Sequence, residues 1–233
     1  MNKPKISIII PILNEGKTIY NLLRYLLEVS SEKHLFEIIV VDGGSIDDSR
    51  EKVRQIPEVI LISSKKGRAK QMNKGALHAK GELLYFLHAD SYPPKDFDKQ
   101  IINTYLSGKK AGCFRMRFDQ KHIVLRFSQW FTRFNHKSCR GGDQSLFIER
   151  AFFEELNGYN ENYVICEDHE LIKRIYKKAA FKVIPNYIVT SARRYEENGV
   201  LKLQYHFTVI HLKDFFGAGP DELYNYYKRN IAS

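Results

Sequence analysis

The chain has 233 residues, 43% of them hydrophobic, with a formal net charge of +10. This length suits one globular domain, and the lack of an apolar run of about eighteen residues, or of a signal-peptide pattern at residues 1–4, predicts a cytoplasmic protein without a membrane span. The basic charge suits solubility, an anionic ligand or an anionic membrane face, whereas no helix-turn-helix, RNA-recognition or zinc-finger motif supports a nucleic-acid partner.

The first half of the chain alternates strand-like and helix-like segments. Short apolar runs, each followed by a polar turn and a helical segment, lie at residues 6–10, 38–41, 59–62 and 83–87. Successive strand–turn–helix units with right-handed crossovers predict a mostly parallel α/β sheet flanked by helices, of the Rossmann-like nucleotide-binding kind. Ligands bind beyond the carboxyl ends of such strands, so the polar turn residues are the first candidates for a site.

The second half is less regular. We predict strands at residues 112–118, 145–148 and 183–189, and helices at residues 95–106, 151–156, 167–178, 201–216 and 221–227. This pattern divides the chain into a domain over residues 1–199 and a helical C-terminal extension over residues 200–233 that packs on the same domain.

A further helix is predicted over residues 122–134, where apolar side chains recur at helical spacing. The apolar stripe consists of Ile123, Phe127, Trp130, Phe131 and Phe134. Such a stripe is typical of a core face. The alternative is that it docks the protein on an anionic membrane, since basic residues surround it.

Asp90 follows the apolar run at residues 83–87, at the predicted ligand edge of the sheet. A divalent ion bridging two phosphates needs a hard oxygen ligand, which this carboxylate could supply. His88 could ligate a transition metal such as Mn²⁺ or hydrogen-bond the ligand. The alternative for Asp90 is a turn residue that accepts backbone N–H bonds.

Glu167 and Asp168 are adjacent carboxylates at the start of a predicted helix. One of them could act as a general base, because an alcohol is a poor nucleophile near neutral pH until a positioned carboxylate takes its proton. Alternatively, both acids complement the positive end of the helix dipole.

Polar residues and glycines in the other turns complete the candidate site. We predict that a nucleotide is bound by Pro11, Asn14, Glu15, Asp42, Gly67, Arg68, Gln71 and Asn73. We predict that the acceptor or the departing diphosphate is contacted by Asp143, Gln144, Arg193 and Arg194. Each of these could instead be a cap or a surface turn.

Taken in order over residues 6 to 195, these motifs resemble the family 2 glycosyltransferases, which open with a strand, a Pro-x-x-Asn-Glu turn, a second strand and an Asp-Gly-Ser type of turn. Residues 11–15 and 42–45 fit that opening. The resemblance implies a glycosyltransferase-A fold and an inverting transfer from a nucleoside-diphosphate sugar, UDP-linked in our prediction, to an acceptor hydroxyl. It further implies a Mn²⁺ or Mg²⁺ ion on Asp90 and Asp168 as the general base.

The chain departs from the family in one motif, because His88 stands where the family's Asp-x-Asp pair has its first acid. Residues 141–144, Gly-Gly-Asp-Gln, resemble the acceptor turn of small soluble members. The Gln-x-x-Arg-Trp motif of membrane-embedded polysaccharide synthases is missing from residues 191–195. We therefore expect a small cytoplasmic enzyme, with a lipid-linked acceptor and attachment to the inner face of a membrane as the alternative.

Two rival functions use similar sheets. A sugar-nucleotide nucleotidyltransferase usually carries a glycine-rich loop with arginine and lysine after its first strand, and residues 11–15 are not such a loop. A non-enzymatic nucleotide- or nucleic-acid-binding module would not need Asp168. Loss of nucleotide affinity on adding EDTA would favour either enzyme over the module.

Overall fold

A computed structural model of the chain describes residues 5–31 and 36–231, so residues 1–4, which carry the prediction about a signal peptide, lie outside the described residues. The strands are β1 (Ile6–Ile12), β2 (Phe36–Asp42), β3 (Val59–Ser63), β4 (Leu83–Phe86), β5 (Ser91–Tyr92), β6 (Ala111–Phe118), β7 (Leu146–Glu149) and β8 (Phe181–Thr190). The helices are α1 (Ile19–Val29), α2 (Ser49–Arg54), α3 (Arg68–His78), α4 (Phe97–Leu106), α5 (Ile123–Trp130), α6 (Arg150–Glu155), α7 (Glu167–Lys178), α8 (Arg193–Asn198), α9 (Val200–Phe215) and α10 (Pro220–Asn230).

The strands form one sheet in the order β3-β2-β1-β4-β7-β6-β8-β5. The first four apolar runs pair in parallel, β3 with β2, β2 with β1 and β1 with β4. The second half adds the antiparallel pairs β4–β7, β6–β7 and β5–β8, together with the parallel pair β6–β8. This α/β sheet flanked by helices confirms the predicted fold class.

Strand β1 is buried on both faces, which explains its continuous apolar run. One face packs against Leu22 and Leu26 of α1, and the other packs against α3. Helix α3 approaches closely because it has Gly75 at the contact, where a Cβ would lie 2.4 Å from Cγ2 of Ile9. The ends of the parallel strands are thereby held in a rigid, two-sided core.

The predicted strand around Pro185 is longer than expected and carries an irregularity. The register along β6 and β8 passes from Phe114 opposite Ile184 to Arg115 opposite Tyr187, which leaves Pro185 and its neighbour outside the ladder. A proline has no N–H to donate, so a bulge is where a strand tolerates it.

The apolar stripe of the predicted helix at residues 122–134 does not face the core. Helix α5 ends at Trp130 and a short 3-10 turn continues to Arg133. Ile123 is 79% exposed and Phe127 is 66% exposed, whereas Leu125 is buried. The expectation of a core face is therefore wrong, because helical periodicity reports an apolar face without specifying what covers it.

The C-terminal helices α9 and α10 form a small apolar cluster with the loop that precedes α7. Leu203, Ile210, Leu223 and Ile231 are buried in it, and Ile165 packs against them. Across residues 5–31 and 36–231, none of the helices has the length and apolar character to cross a membrane. The division of the chain at residue 199 stays a prediction.

Candidate active site

A cavity of about 560 Å³ lies between α7, the segment over residues 138–144, α5 and α9. The predicted site residues that line it are Arg68, His88, Asp143, Gln144, Asp168 and Arg194. The remaining wall includes the apolar or weakly polar residues Phe118, Phe131, Ile165, Phe207 and Thr208, together with the ionisable residues Arg140, His169 and His211. The cavity thus brings together side chains that lie far apart along the chain.

Asp168 occupies the first turn of α7, and its side chain is 11% exposed. The helix follows Cys166, whose φ of 62° turns the chain sharply into it. A carboxylate at a helix N-terminus is stabilised by the helix dipole. The structure therefore presents Asp168 at the cavity wall as an acid in a largely water-excluded setting.

Glu167, its neighbour, points away into the protein and is completely buried. Nε of Arg68 lies 2.7 Å from Oε1 of Glu167, although the N–H is not aimed at that oxygen, so the contact is an ion pair and not a hydrogen bond. Burial raises the pKa of the Glu167 carboxyl, and the charge of Arg68 acts in the opposite direction. The two adjacent acids thus have different surroundings, and Asp168 is the one that meets the cavity.

Gly142 packs directly against the carboxylate of Asp168. A Cβ at this position would lie 2.1 Å from Oδ2 of Asp168 and 2.9 Å from Cε1 of His88. At Gly141 a Cβ would come no closer than 3.7 Å, to Nε2 of His169. Close packing therefore requires a glycine at position 142, whereas position 141 has room for a Cβ.

His88 lies between two carboxylates. Its Nδ1 is 3.5 Å from Oδ1 of Asp143, and its Nε2 is 4.0 Å from Oδ2 of Asp168. Burial would lower the pKa of His88, but the contact with Asp143 and the charges of both acids outweigh it and raise the pKa. Burial would raise the pKa of Asp143, but the contact with His88 and the charges of Arg68 and Arg194 outweigh burial and lower it. The role of His88 as a metal ligand stays a prediction.

The two predicted arginines at the start of α8 point to different places. Nη2 of Arg193 is 3.6 Å from Oε2 of Glu15, at the end of β1. Arg194 lines the cavity, where its Nη2 donates to the hydroxyl of Tyr227 at 2.7 Å. The side chain of Arg193 therefore lies at the turn after β1, and that of Arg194 lies at the cavity wall.

The turns after β1 and β2 are tied to each other. The backbone N–H of Asn14 donates to Oγ of Ser45, and the side-chain oxygen of Asn14 accepts from the N–H of Ile46. Asp42 is buried at the end of β2, where its Oδ1 accepts from the N–H of Ser45. Pro11 lies within β1, opposite Val41. The predicted nucleoside residues thus form one connected edge.

The carboxylates of Glu15 and Asp90 interact electrostatically at this edge, and the interaction affects the pKa of Glu15. Burial raises the pKa of Glu15, and the charge of Asp90 adds to that shift against the hydrogen bond from Thr18 and the charge of Arg193. Asp90 is half-buried beyond β4, and within residues 5–31 and 36–231 the hydrogen bond that its carboxylate receives is a long one of 3.4 Å from the Ser91 hydroxyl.

Three predicted amide side chains are engaged in backbone contacts. Nε2 of Gln71 donates to the carbonyls that end β1 and β2, and Nδ2 of Asn73 donates to the carbonyl of Tyr159. Nε2 of Gln144 donates to the carbonyl of Cys139. Gly67 precedes α3 with a φ of 132°. These residues shape the site in this structure, and direct contact with a ligand stays a prediction for each.

Several residues at the cavity carried no recognisable signal in the sequence. The hydroxyl of Tyr159 is buried, and burial together with the charges of Asp168 and Glu167 raises its pKa. His169 lies 3.4 Å from Asp214 of α9, which also accepts from Lys173 at 2.7 Å. No short motif marks these residues, because Tyr159 lies near Asp168 only in the folded chain and His169 meets Asp214 only through the packing of α9 on α7.

No three His, Cys, Asp or Glu side chains in the part of the chain that the structure describes converge closely enough to enclose a metal ion. Asp90 alone still fits the hard-oxygen chemistry of Mg²⁺ or Mn²⁺ at a diphosphate, because such ions take only one or two carboxylates and obtain their other ligands from phosphate and water. The donor set therefore suits an ion that arrives with a nucleotide more than one held by the protein alone.

An open α/β sheet with acidic side chains at its strand ends and beside a cavity is the architecture of nucleotide-dependent transferases. Residues 7–161 match the profile of Glycosyl transferase family 2, and the chain belongs to that family. This result confirms the predicted family and sets aside the nucleotidyltransferase and the non-enzymatic module.

Among relatives, the probable glycosyltransferase YdaM of Bacillus subtilis is 26% identical over 197 residues, which cover 74% of this chain and 47% of that protein. An undecaprenyl-phosphate 4-deoxy-4-formamido-L-arabinose transferase of Pseudomonas savastanoi is 30% identical over 128 residues, 47% of this chain and 38% of that protein. This chain therefore spans half or less of the length of either relative.

Solved structures share the fold. The mannosyltransferase PcManGT of Pyrobaculum calidifontis, in complex with GDP-Man and Mn²⁺, has a TM-score of 0.71 at 18% identity and covers 97% of this chain and 70% of its own. TarS of S. aureus in complex with UDP has a TM-score of 0.68 at 19% identity, and the match covers 85% of this chain and 64% of the TarS chain.

Proposed function

We propose that this chain transfers a hexosyl group from a nucleoside-diphosphate sugar, UDP-linked, to a hydroxyl group of an acceptor held in the cavity. The observation that carries the proposal is the position of Asp168, at the cavity wall and packed against Gly142. Family membership and the nucleotides bound by the structural neighbours support the donor class.

Asp168 would act as the general base. Its carboxylate takes the proton of the acceptor hydroxyl, whose oxygen then forms a bond with the anomeric carbon of the donor. The bond between that carbon and the diphosphate oxygen breaks in the same displacement, so the anomeric configuration inverts. A positioned base contributes roughly 10²–10⁴-fold to such a rate. Glu167 would act through Arg68, by keeping the guanidinium charged and in place.

The donor nucleotide would lie over the connected edge formed by the turns after β1 and β2. Asn14 and Asp42 are fixed there by backbone contacts, which lowers the ordering cost of binding. Arg193 and Arg68 would contact the diphosphate, since an arginine fork suits phosphate oxygens.

A divalent ion, Mn²⁺ or Mg²⁺, would be held by Asp90 together with the diphosphate. When bound, it would offset the negative charge that develops on the departing diphosphate. The half-buried carboxylate of Asp90, with only a long contact to Ser91, supports this assignment.

We further propose a lipid-linked acceptor and attachment of the enzyme to the inner face of the membrane. The name of the Pseudomonas relative includes a lipid phosphate, undecaprenyl phosphate. Apolar side chains such as Phe131 and Phe207 line the cavity beside Asp168, as an amphipathic acceptor would require.

The test compares Asp168→Asn with Asp221→Asn, which removes the charge of an exposed acid of α10 that does not line the cavity. Sugar transfer from a panel of UDP-, GDP- and CMP-sugars is followed by mass spectrometry, and UDP affinity is measured by calorimetry with Mn²⁺. We expect Asp168→Asn to keep UDP affinity and to lose transfer by about 10²-fold or more. Near-parental transfer by this variant would disprove the role of Asp168 as base.

A further inference from the structure

Four aromatic side chains form an exposed cluster where α5 ends. The aromatic cluster consists of Phe127, Trp130, Phe131 and Phe134. Ring centroids are 5.1 Å apart for Phe127 and Phe131 and 4.8 Å apart for Trp130 and Phe134. Each of the four side chains is at least 39% exposed. A contiguous apolar patch of this kind marks an interaction surface, since scattered single hydrophobic residues would not contact one another.

The chain around the aromatic cluster carries only positive charge. The sequence contains no acidic residue between Asp119 and Asp143. The exposed basic residues of this stretch are Lys121, Arg126, Arg133 and Lys137. None of them forms a salt bridge within residues 5–31 and 36–231, and the guanidinium of Arg133 lies 5.0 Å above the ring of Trp130. The patch therefore combines aromatic surface with uncompensated positive charge.

Helix α9 extends this surface. Leu201, Tyr205 and Leu212 recur at helical spacing and are exposed. The adjacent face of the same helix, with Gln204 and Thr208, lines the cavity that contains Asp168. Helices α5 and α9 contact each other, and Phe131 belongs to both the aromatic cluster and the cavity wall. The exposed apolar surface is thus continuous with the mouth of the cavity.

We propose that the aromatic cluster and the exposed face of α9 dock this protein on an anionic lipid membrane, with the cavity mouth at the bilayer surface. Aromatic rings partition into the interfacial region of a bilayer, and basic side chains around them are attracted to anionic headgroups. An amphipathic acceptor could then present its hydroxyl to Asp168 without leaving the membrane, a step that rests on the proposed sugar transfer.

The charge also argues against a second copy of this chain as the occupant. In a symmetric dimer the same patch meets itself, so the four basic residues would lie against a patch that carries the same four positive charges. Like charges placed opposite each other across an interface disfavour association. An anionic lipid surface is the partner that matches both the aromatic rings and the charge.

Trp130 allows a direct test, because it is the only tryptophan of the chain. The probes are vesicles of phosphatidylglycerol with phosphatidylcholine, compared with vesicles of phosphatidylcholine alone. We expect co-sedimentation with the anionic vesicles at low salt, a blue shift of the Trp130 emission, and release at high salt through screening. Absence of binding to anionic vesicles at low salt would overturn the proposal.

Matched variants locate the surface. Phe127→Ser should weaken vesicle binding about tenfold and Arg126→Gln about fivefold. Leu77→Ser on α3 and Lys99→Gln on α4, where both residues are exposed, should leave vesicle binding at the parental level. Equal losses in the two sets, or a parental dimer that Phe127→Ser converts to a monomer, would also overturn the assignment.

The vesicle-binding test of the docking surface can be distinguished from the sugar-transfer test of the proposed function. Asp168→Asn should bind anionic vesicles as the parent does, because it lies inside the cavity. Vesicle binding with no sugar transfer from any donor would reject the proposed function and leave the docking surface intact. Transfer to a water-soluble acceptor without vesicle binding would reject the docking surface and the proposed membrane attachment, and would leave the proposed sugar transfer and the role of Asp168 intact.

Discussion

Arg68, the first residue of α3, forms an ion pair with the completely buried Glu167, the first residue of α7, at 2.7 Å. This contact fastens the helix that follows β3 to the helix that carries Asp168. The charge of Glu167 raises the pKa of Arg68, so the guanidinium remains positive at any physiological pH.

Removing this arginine should cost stability because it leaves a buried carboxylate without its counter-ion. We expect Arg68→Ala to lower the free energy of unfolding by about 2 kcal/mol, less than for a fully buried pair since the guanidinium is partly exposed. The double variant Arg68→Ala with Glu167→Gln should recover much of that loss. Urea unfolding measures the cycle, with Arg54→Ala as an exposed control. Strictly additive losses would show that the pair is not coupled.

Gly142 offers a test of how precisely Asp168 must be placed. Gly142→Ala introduces a Cβ in collision with the carboxylate of Asp168, and a displacement of about 1 Å can lower a catalytic rate about 10²-fold. Gly141→Ala, where the new Cβ finds ordinary contact distances, serves as the matched control. Initial rates of sugar transfer and UDP affinity are measured for both. Equal activity in the two variants would contradict the packing argument.

Asp90 and His88 should differ in their effect on metal dependence. Asp90→Ala is expected to remove most of the gain in UDP affinity that Mn²⁺ provides, because a carboxylate is the hard ligand at this edge. His88→Gln should keep that gain, since both ring nitrogens face carboxylates across the cavity. Calorimetry with UDP, with and without Mn²⁺, distinguishes the two. A His88→Gln variant that loses the metal effect would instead support the predicted role of His88 as a metal ligand.

The contacts that join α7 to α9, made by Asp214 with His169 and Lys173, should depend on pH. Burial would raise the pKa of Asp214, but His169 and Lys173 outweigh it and lower the pKa. A carboxyl with a lowered folded-state pKa stabilises the fold above its unfolded value of about 3.9 and loses that contribution as the pH falls through the folded value.

We therefore expect Asp214→Asn to be about 2 kcal/mol less stable than the parent at neutral pH. The gap should begin to shrink as the pH falls below about 4, where Asp214 of the unfolded chain takes up its proton, and should be lost at the lower pH where the folded carboxylate is protonated too. Urea unfolding over a pH series measures it, and Asp221→Asn, an exposed acid of α10, is the control. A gap that does not change with pH would assign the loss to packing.

The front of the sheet could be predicted from the sequence because each of its strands is a continuous apolar run bounded by a polar turn, as β1 and Asn14 illustrate. Asp168 could be proposed because an acidic pair at a helix start is a local pattern. The surroundings of His88 could not be predicted, because Asp143 reaches it only after the chain has passed through β6 and α5. Likewise, the exposure of Phe127 depends on which elements leave α5 uncovered.

The apolar cluster made by α9 and α10 has a consequence for the modularity of the chain. Ile165 and Cys166, immediately before Glu167 and Asp168, pack against the apolar cluster that contains Leu203 and Ile210. Shortening the chain at residue 199 would remove α9 and α10 and expose the apolar residues that they cover. The turn at Cys166, which orients Asp168, would then be held less firmly. The C-terminal helices therefore support the turn that precedes Asp168, and a shortened version of this chain that preserves the position of Asp168 has to keep them.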